Sequence, residues 1–286
     1  DVQGARADKL CRVAVDALTS FGVQVEATHG EVGPGQHEID IAELGALEAA
    51  DAIVAAKWAL RSVARREGLL VSFMPKPLAD APGSGLHMTQ VLIDRQTGAD
   101  AFFDPTQQYQ LSSVGAQFIA GQLAHARGLS AIIAPLVNSY KRLGAGAEAP
   151  ARVGWARVHR GALLRVPEVA VGHATRLELR APDPSCNPYL ALASMLKAGL
   201  DGIQRELELP EPARELGDAE PGADEAASPL PATLGEALEE LTWDPVVREA
   251  IGQPIFERFA TAKEQEWLAF GRHTSQWELE RYLESA

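Results

Sequence analysis

Cysteine is scarce in this chain: Cys11 and Cys186 are the two among 286 residues. They sit in unrelated contexts without CxxC spacing, which excludes a disulfide framework and a cysteine zinc site and leaves two reduced packing residues. Long apolar runs are missing too, and without one of about 18 residues no transmembrane helix is expected. The opening Asp-Val-Gln-Gly-Ala-Arg lacks the apolar core of a signal peptide, so a cytoplasmic location is expected. Positive charge is in deficit, with 26 Lys and Arg against 39 Asp and Glu and a formal net charge of -13. Such a surface repels nucleic acid and anionic membranes, which excludes both as partners. No Gly-rich Rossmann or Walker pattern occurs, so a nucleotide would sit in neither of those cradles. Any anionic nucleotide would need arginines or cations gathered locally against the global charge.

What is present is an ordinary globular composition, 46% hydrophobic and 23% charged, at a length that suits one or two domains. Apolar residues recur at helical spacing over residues 6–21, from Leu10 to Phe21, and Gly22 ends the run. Residues 23–27 alternate like a strand, and 29–38 read as a Gly/Pro loop. Long helices are predicted over 46–67 and 112–127, strands over 69–75, 86–94 and parts of 152–180, and a helix over 188–207. Residues 208–233, rich in Pro, Gly, Ala, Asp and Glu without apolar period, read as a surface loop. Helical pattern resumes at Leu234 and includes 255–270 and 275–284. Antiparallel-looking strands with separate helices favour α+β over a doubly wound sheet.

Three groups of residues could carry chemistry. Glu31 and Glu38 flank Val-Gly-Pro-Gly-Gln-His, a loop that can fold so that both carboxylates converge on a hard divalent cation. Taken alone, two solvated carboxylates beside a turn would read the same. In Gly83-Ser84-Gly85-Leu86-His87 the glycines let backbone approach a ligand closely, and His87 opens a strand where it is either a metal ligand or structural. The strongest group is cationic: Arg142, Arg160, Arg165, Arg176 and Arg180 crowd one stretch of an acidic chain. Strict alternation in Arg176-Leu-Glu-Leu-Arg180 puts Arg176, Glu178 and Arg180 on one sheet face. Guanidinium groups there suit planar recognition of phosphates or carboxylates, or form surface ion pairs on an exposed face.

These segments together resemble the glutamine synthetase family. His29-Gly-Glu-Val-Gly-Pro-Gly-Gln-His-Glu38 is similar to its metal-binding segment, and Lys76 to His87 to its glutamate-binding loop and metal histidine. Asn138-Ser-Tyr-Lys-Arg142 with Glu148-Ala-Pro150 resembles the loop near its ammonium site. Arg160 and Arg165-Val-Pro resemble its phosphate-handling arginines, and Arg176-Leu-Glu-Leu-Arg180-Ala-Pro-Asp-Pro-Ser-Cys-Asn-Pro-Tyr its signature strand. The blocks keep the family's order across residues 20–205, and the helices of 234–284 resemble its C-terminal helices more weakly.

The resemblance implies a catalytic domain over 1–286, built on a curved, largely antiparallel sheet with flanking helices. It places an N-terminal β-grasp domain and a strand with further metal glutamates upstream. By resemblance, Glu31 and Glu38 hold one divalent ion, Mg2+ or Mn2+, and His87 and Glu178 another. Arg160 and Arg165 stabilise the phosphoryl group of ATP in flight, and Arg176 lies near the nucleotide. Gly83, Arg142 and Arg180 bind glutamate, and Glu148 shields the intermediate and takes a proton from ammonium. The implied reaction is ATP-dependent amide formation on the γ-carboxylate of glutamate through a γ-glutamyl phosphate, a step of glutamine biosynthesis, in a homo-oligomeric ring. The sequence departs from the family's pattern at His29-Gly30, where paired histidines usually precede the first metal glutamate, at Pro82, where Asn is common, and at Thr89 and Val91, which replace polar contacts after the metal histidine. The last three keep open a γ-glutamyl ligase for a larger amine, such as a polyamine or ethanolamine, and a non-catalytic binding or scaffold member.

Overall fold

The computed structural model describes residues 2–144, 149–167, 174–213 and 227–285. Helix α1 (Val2–Ser20) stops where Gly22 takes a left-handed φ of 80°. Strands β1 (Val25–Gly30) and β2 (His37–Ile41) then form an antiparallel hairpin with His29 opposite Glu38 and Gly30 opposite His37. The strands therefore run further into the expected 29–38 loop than composition suggested, leaving a turn over 31–36. Glu31 N–H donates to Gln36 O at 2.9 Å and Gln36 N–H to Gly33 O at 3.0 Å, while Gly35 supplies the φ of 68° that closes the turn.

Helix α2 (Ala46–Arg66) buries an alanine-rich stripe including Ala52, Ala56 and Ala59. With Leu18 and Val23 these make a small core, against which Val25, Ile39 and Ile41 of the hairpin pack. The metal-binding candidates thus stand on a hairpin seated on two helices. Beyond α2, residues 69–75 pair with no strand among the described residues, and Leu70 is 94% exposed. The alternation expected of a strand is there, but backbone donors and acceptors become a strand only when a neighbour satisfies them.

The main sheet has four short strands: β3 (Met88–Gln90), β4 (Trp155–Ala156), β5 (Leu164–Arg165) and β6 (Leu177–Leu179). Their order is β3-β6-β5-β4, antiparallel except for the parallel β4–β5 pair. This open mixed sheet with separate helices is the expected α+β arrangement. One face packs on the larger core, which holds Phe102, Phe118, Trp155, Leu164 and Leu177.

Over that core lie α3 (Ser113–Ala124), α4 (Ala126–Ile133) and α5 (Pro188–Gln204). The single helix expected over 112–127 is interrupted at His125, whose ring sits between Asp201 and Asp244. Helix α5 starts where Asn187 accepts from the N–H groups of Tyr189 and Leu190 and Pro188 occupies the first turn. It crosses α3 at glycines: a Cβ on Gly202 would meet the Gln117 carbonyl, and one on Gly121 the Ala198 carbonyl. Helices α6 (Leu234–Trp243), α7 (Pro245–Ile251), α8 (Gln253–Gly271) and α9 (Gln276–Tyr282) complete the chain. Of the expected 208–233 loop, 214–226 lie outside the described residues. The flanks carry no helix or strand beyond a bridge of Pro229 with Arg152. No described helix is long and apolar enough to cross a membrane.

Candidate active site

The hairpin register decides the first cluster. With His29 opposite Glu38, and Glu31 just past the end of β1, one ligand atom from each of the three lies within 4.8 Å of the others. His29 Nε2 is 3.2 Å from Glu31 and 3.6 Å from Glu38. Burial, the neighbouring Glu31 and Asp40 push the Glu38 carboxyl up to about 7, against a smaller pull from His29. Two carboxylates and an imidazole that crowd one another in this way fit a divalent cation. His29 was left outside the ligand set by sequence reasoning, because its closeness to Glu38 is a cross-strand relation that spacing along the chain does not show.

The second cluster centres on Glu178, in the middle strand β6. Across the sheet Thr89 pairs with it on one side and Arg165 on the other. His87 Nδ1 comes within 3.2 Å of Glu178 Oε1, Arg180 Nη1 donates to the same oxygen at 2.9 Å, and Arg165 Nε approaches Oε2 at 2.6 Å. Burial alone would raise the Glu178 pKa. The hydrogen bond from His87 and the positive groups of Arg180, His87 and Arg165 outweigh it and hold the carboxyl down at about 2. His87 and Glu178 offer two donors to a cation, and a cation bound there would share Glu178 with the Arg165 guanidinium.

Arg142 lies under this cluster and is almost fully buried. Its Nη1 donates to the Ala181 carbonyl at 2.7 Å and the Pro182 carbonyl at 3.2 Å, and Nη2 to the Arg180 carbonyl at 2.8 Å. Burial lowers its pKa to about 10. Gly83 and Gly85 pack against it: an added Cβ would lie 2.9 Å from Arg142 Cγ at Gly83 and 2.5 Å from Nη2 at Gly85. Only glycine permits that approach. Asp183, fully buried at the end of the same segment, accepts from Ser185 N–H at 2.8 Å and from the hydroxyls of Ser139 and Ser185. Asn138 exchanges two hydrogen bonds with the Lys76 backbone, at 2.8 and 3.0 Å. The turn carrying Arg142 is thereby fastened both to the segment after β6 and to the loop leading to His87.

The structure therefore joins Glu31 with Glu38, and His87 with Glu178, Arg165 and Arg180, and sets Gly83 against Arg142. Arg160 and Arg176 are exposed, and the Arg160 carbonyl accepts from Arg180 Nε at 2.9 Å. Glu148 lies outside the described residues. A side chain missed by sequence reasoning, Gln36, bridges the hairpin to the Gly83 carbonyl and the Ser84 hydroxyl.

Comparison with known proteins follows the same lines. The glutamine synthetase of Thermus thermophilus is 47% identical over 276 residues, covering 95% of this chain and 61% of the relative. That of Methanococcus maripaludis is 43% identical over 276 residues with the same coverages. The chain thus spans about three fifths of the length of these relatives. Among solved structures, ligand-free GmaS superposes with a TM-score of 0.85 at 31% identity, covering 98% of this chain and 64% of that one. A GmaS/ADP complex gives the same TM-score at 30% identity, covering 96% and 63%. Residues 3–282 match the family model described as glutamine synthetase, catalytic domain, and the chain belongs to that family.

Proposed function

We propose that the protein is an ATP-dependent ligase that joins the γ-carboxylate of glutamate to ammonia. The observation that carries this reading is the pairing of two polar centres. An acidic triad of His29, Glu31 and Glu38 is tied through Gln36 to the loop that ends in His87, and His87 meets Glu178 among guanidinium groups.

A carboxylate is a poor acyl donor because its leaving group would be oxide. Its oxygen must first attack the γ-phosphorus of ATP, releasing ADP and forming an acyl phosphate. Ammonia then attacks the acyl carbon, loses a proton, and phosphate departs with the former carboxylate oxygen. Divalent ions at Glu31/Glu38 and His87/Glu178 would offset the charge of the transferred phosphoryl group. His29 belongs with the first of these sets by proximity.

Arg165, half-buried and aimed at Glu178, holds a guanidinium where phosphate oxygens would gather, and exposed Arg160 is close in sequence for the same task. Arg176 serves the nucleotide. Arg180, fixed by Glu178 and the Arg160 carbonyl, and the backbone of Gly83 serve glutamate. Arg142 is assigned to the same glutamate site and braces the backbone there through three carbonyls. Glu148 is assigned proton removal from ammonium. A homo-oligomeric ring and Mg2+ or Mn2+ dependence belong to the same reading.

The test is phosphate release by the full-length protein with ATP, Mg2+ and glutamate, against ammonia and a panel of larger amines. Release that requires glutamate and is most efficient with ammonia supports the reading. Highest efficiency with a polyamine or ethanolamine moves the acceptor, and no amine-dependent release rejects the ligase.

A further inference from the structure

We propose that Gln36 is a positioning residue that couples the divalent-ion hairpin to the glutamate loop; the proposal rests on the ligase reading above. Gln36 closes the turn between Glu31 and Glu38, and the two ends of its amide serve two different segments. Oε1 accepts from Gly33 N–H at 3.2 Å, inside the turn. Nε2 donates to the Gly83 carbonyl at 3.0 Å and approaches Ser84 Oγ at 3.5 Å. Among the described residues no other side chain hydrogen-bonds from the hairpin to that loop.

The loop on the far side is not slack. Ser84 N–H donates to the Pro75 carbonyl at 2.7 Å, Leu86 N–H to the Pro182 carbonyl at 2.8 Å, and both glycines rest on Arg142. A displacement of the Gly83 carbonyl is therefore felt at Arg142, at the segment after β6 and at His87. On the near side, an ion that draws Glu31 and Glu38 together repositions the turn between them, and Gln36 with it. Ion binding at the hairpin then presets the loop, and by linkage a ligand seated on the loop tightens the ion by the same factor. A primary amide suits the task because it carries a donor and an acceptor at fixed separation. Glutamate would keep the acceptor for Gly33 N–H but lose the donor to Gly83, and methionine would lose both.

The test measures Mn2+ binding to the full-length protein by calorimetry, with and without saturating glutamate, for wild type, Gln36→Glu and Gln36→Met. In wild type, glutamate tightens Mn2+. Both variants reduce that coupling factor about 3- to 10-fold, the effect of losing one hydrogen bond. Gln36→Glu, with its turn intact, binds Mn2+ without glutamate at least as tightly as wild type. The proposal is overturned by a wild type without coupling, or by a coupling factor that stays within about 2-fold in both variants. It is equally overturned if Gln36→Glu binds Mn2+ weakly in the absence of glutamate, the mark of a collapsed hairpin rather than a cut link. Phosphate release on the same preparations keeps the two readings apart. Coupling without release rejects the ligase and leaves Gln36 as the link, whereas normal release with unchanged coupling rejects the link alone.

Discussion

Replacing Glu178 by Gln keeps the size and planarity of the side chain and removes its charge. The native carboxyl is held at about 2 instead of the ordinary 4.5, which corresponds to about 3 kcal/mol in favour of the charged form. Arg180, with a side chain 7% exposed, forms an ion pair with Glu178 and loses that interaction. Arg165 is 30% exposed, so solvent screens its share, and the loss falls chiefly on the His87 hydrogen bond and on Arg180. A loss of about 3 kcal/mol in a domain of this size lowers Tm by about 6 °C in differential scanning calorimetry at pH 7. The sign with pH follows from the lowered pKa. The contribution is full above 4.5 and disappears as pH falls toward 2, so the gap between wild type and Glu178→Gln shrinks by more than half by about pH 3. A Tm change under about 1 °C at pH 7, or a gap that does not narrow in acid, would refute the claim that this ion pair organises the site.

Arg142→Lys places a point charge where a fork reaches three carbonyls, and is expected to cost about 2 kcal/mol with faster amide exchange over residues 180–183; unchanged exchange contradicts the bracing role. Burial pulls the His125 pKa down, but hydrogen bonds to Asp244 at 2.8 Å and Asp201 at 3.0 Å outweigh it, so the pKa is raised. Its contribution to stability is full below about 6.5 and lost as pH rises through the raised value; an NMR titration of its ring placing the pKa at or below 6.5 contradicts this. Gly202→Ala drives a methyl group into the Gln117 carbonyl of α3 and should destabilise by about 1–3 kcal/mol in urea unfolding, whereas a neutral result means α3 and α5 can part freely.

The helices were the legible part of the fold. Apolar spacing located α2 and α5 to within a few residues, because an amphipathic stripe is a local property of the chain. Strands were legible only in outline: the segments expected over 23–27, 86–94 and parts of 152–180 overlap β1, β3 and β4 to β6, but their bounds and pairing depend on partners elsewhere in the chain. The alternating 69–75 segment pairs with no described strand, whereas His29 and Gly30, in a Gly/Pro-rich stretch, are paired because His37 and Glu38 fold back on them. The same distinction governs the site. Glu31, Glu38, His87 and Glu178 stood out by chemistry and resemblance, and the structure joins them as two pairs. What spacing could not give was contact across elements: His29 against Glu38, Gln36 against Gly83, and the burial of Arg142 beneath three carbonyls. His125 escaped notice because its two aspartates come from α5 and from the start of α7.

The acyl-phosphate claim is tested most directly by the path of one oxygen atom. Glutamate labelled with 18O in its γ-carboxylate is supplied with ATP, Mg2+ and ammonia, and the inorganic phosphate formed is analysed by mass spectrometry. Transfer of one labelled oxygen per phosphate is the predicted result. Phosphate released without the label, or label kept wholly in the glutamyl product, would contradict activation of the carboxylate by this protein.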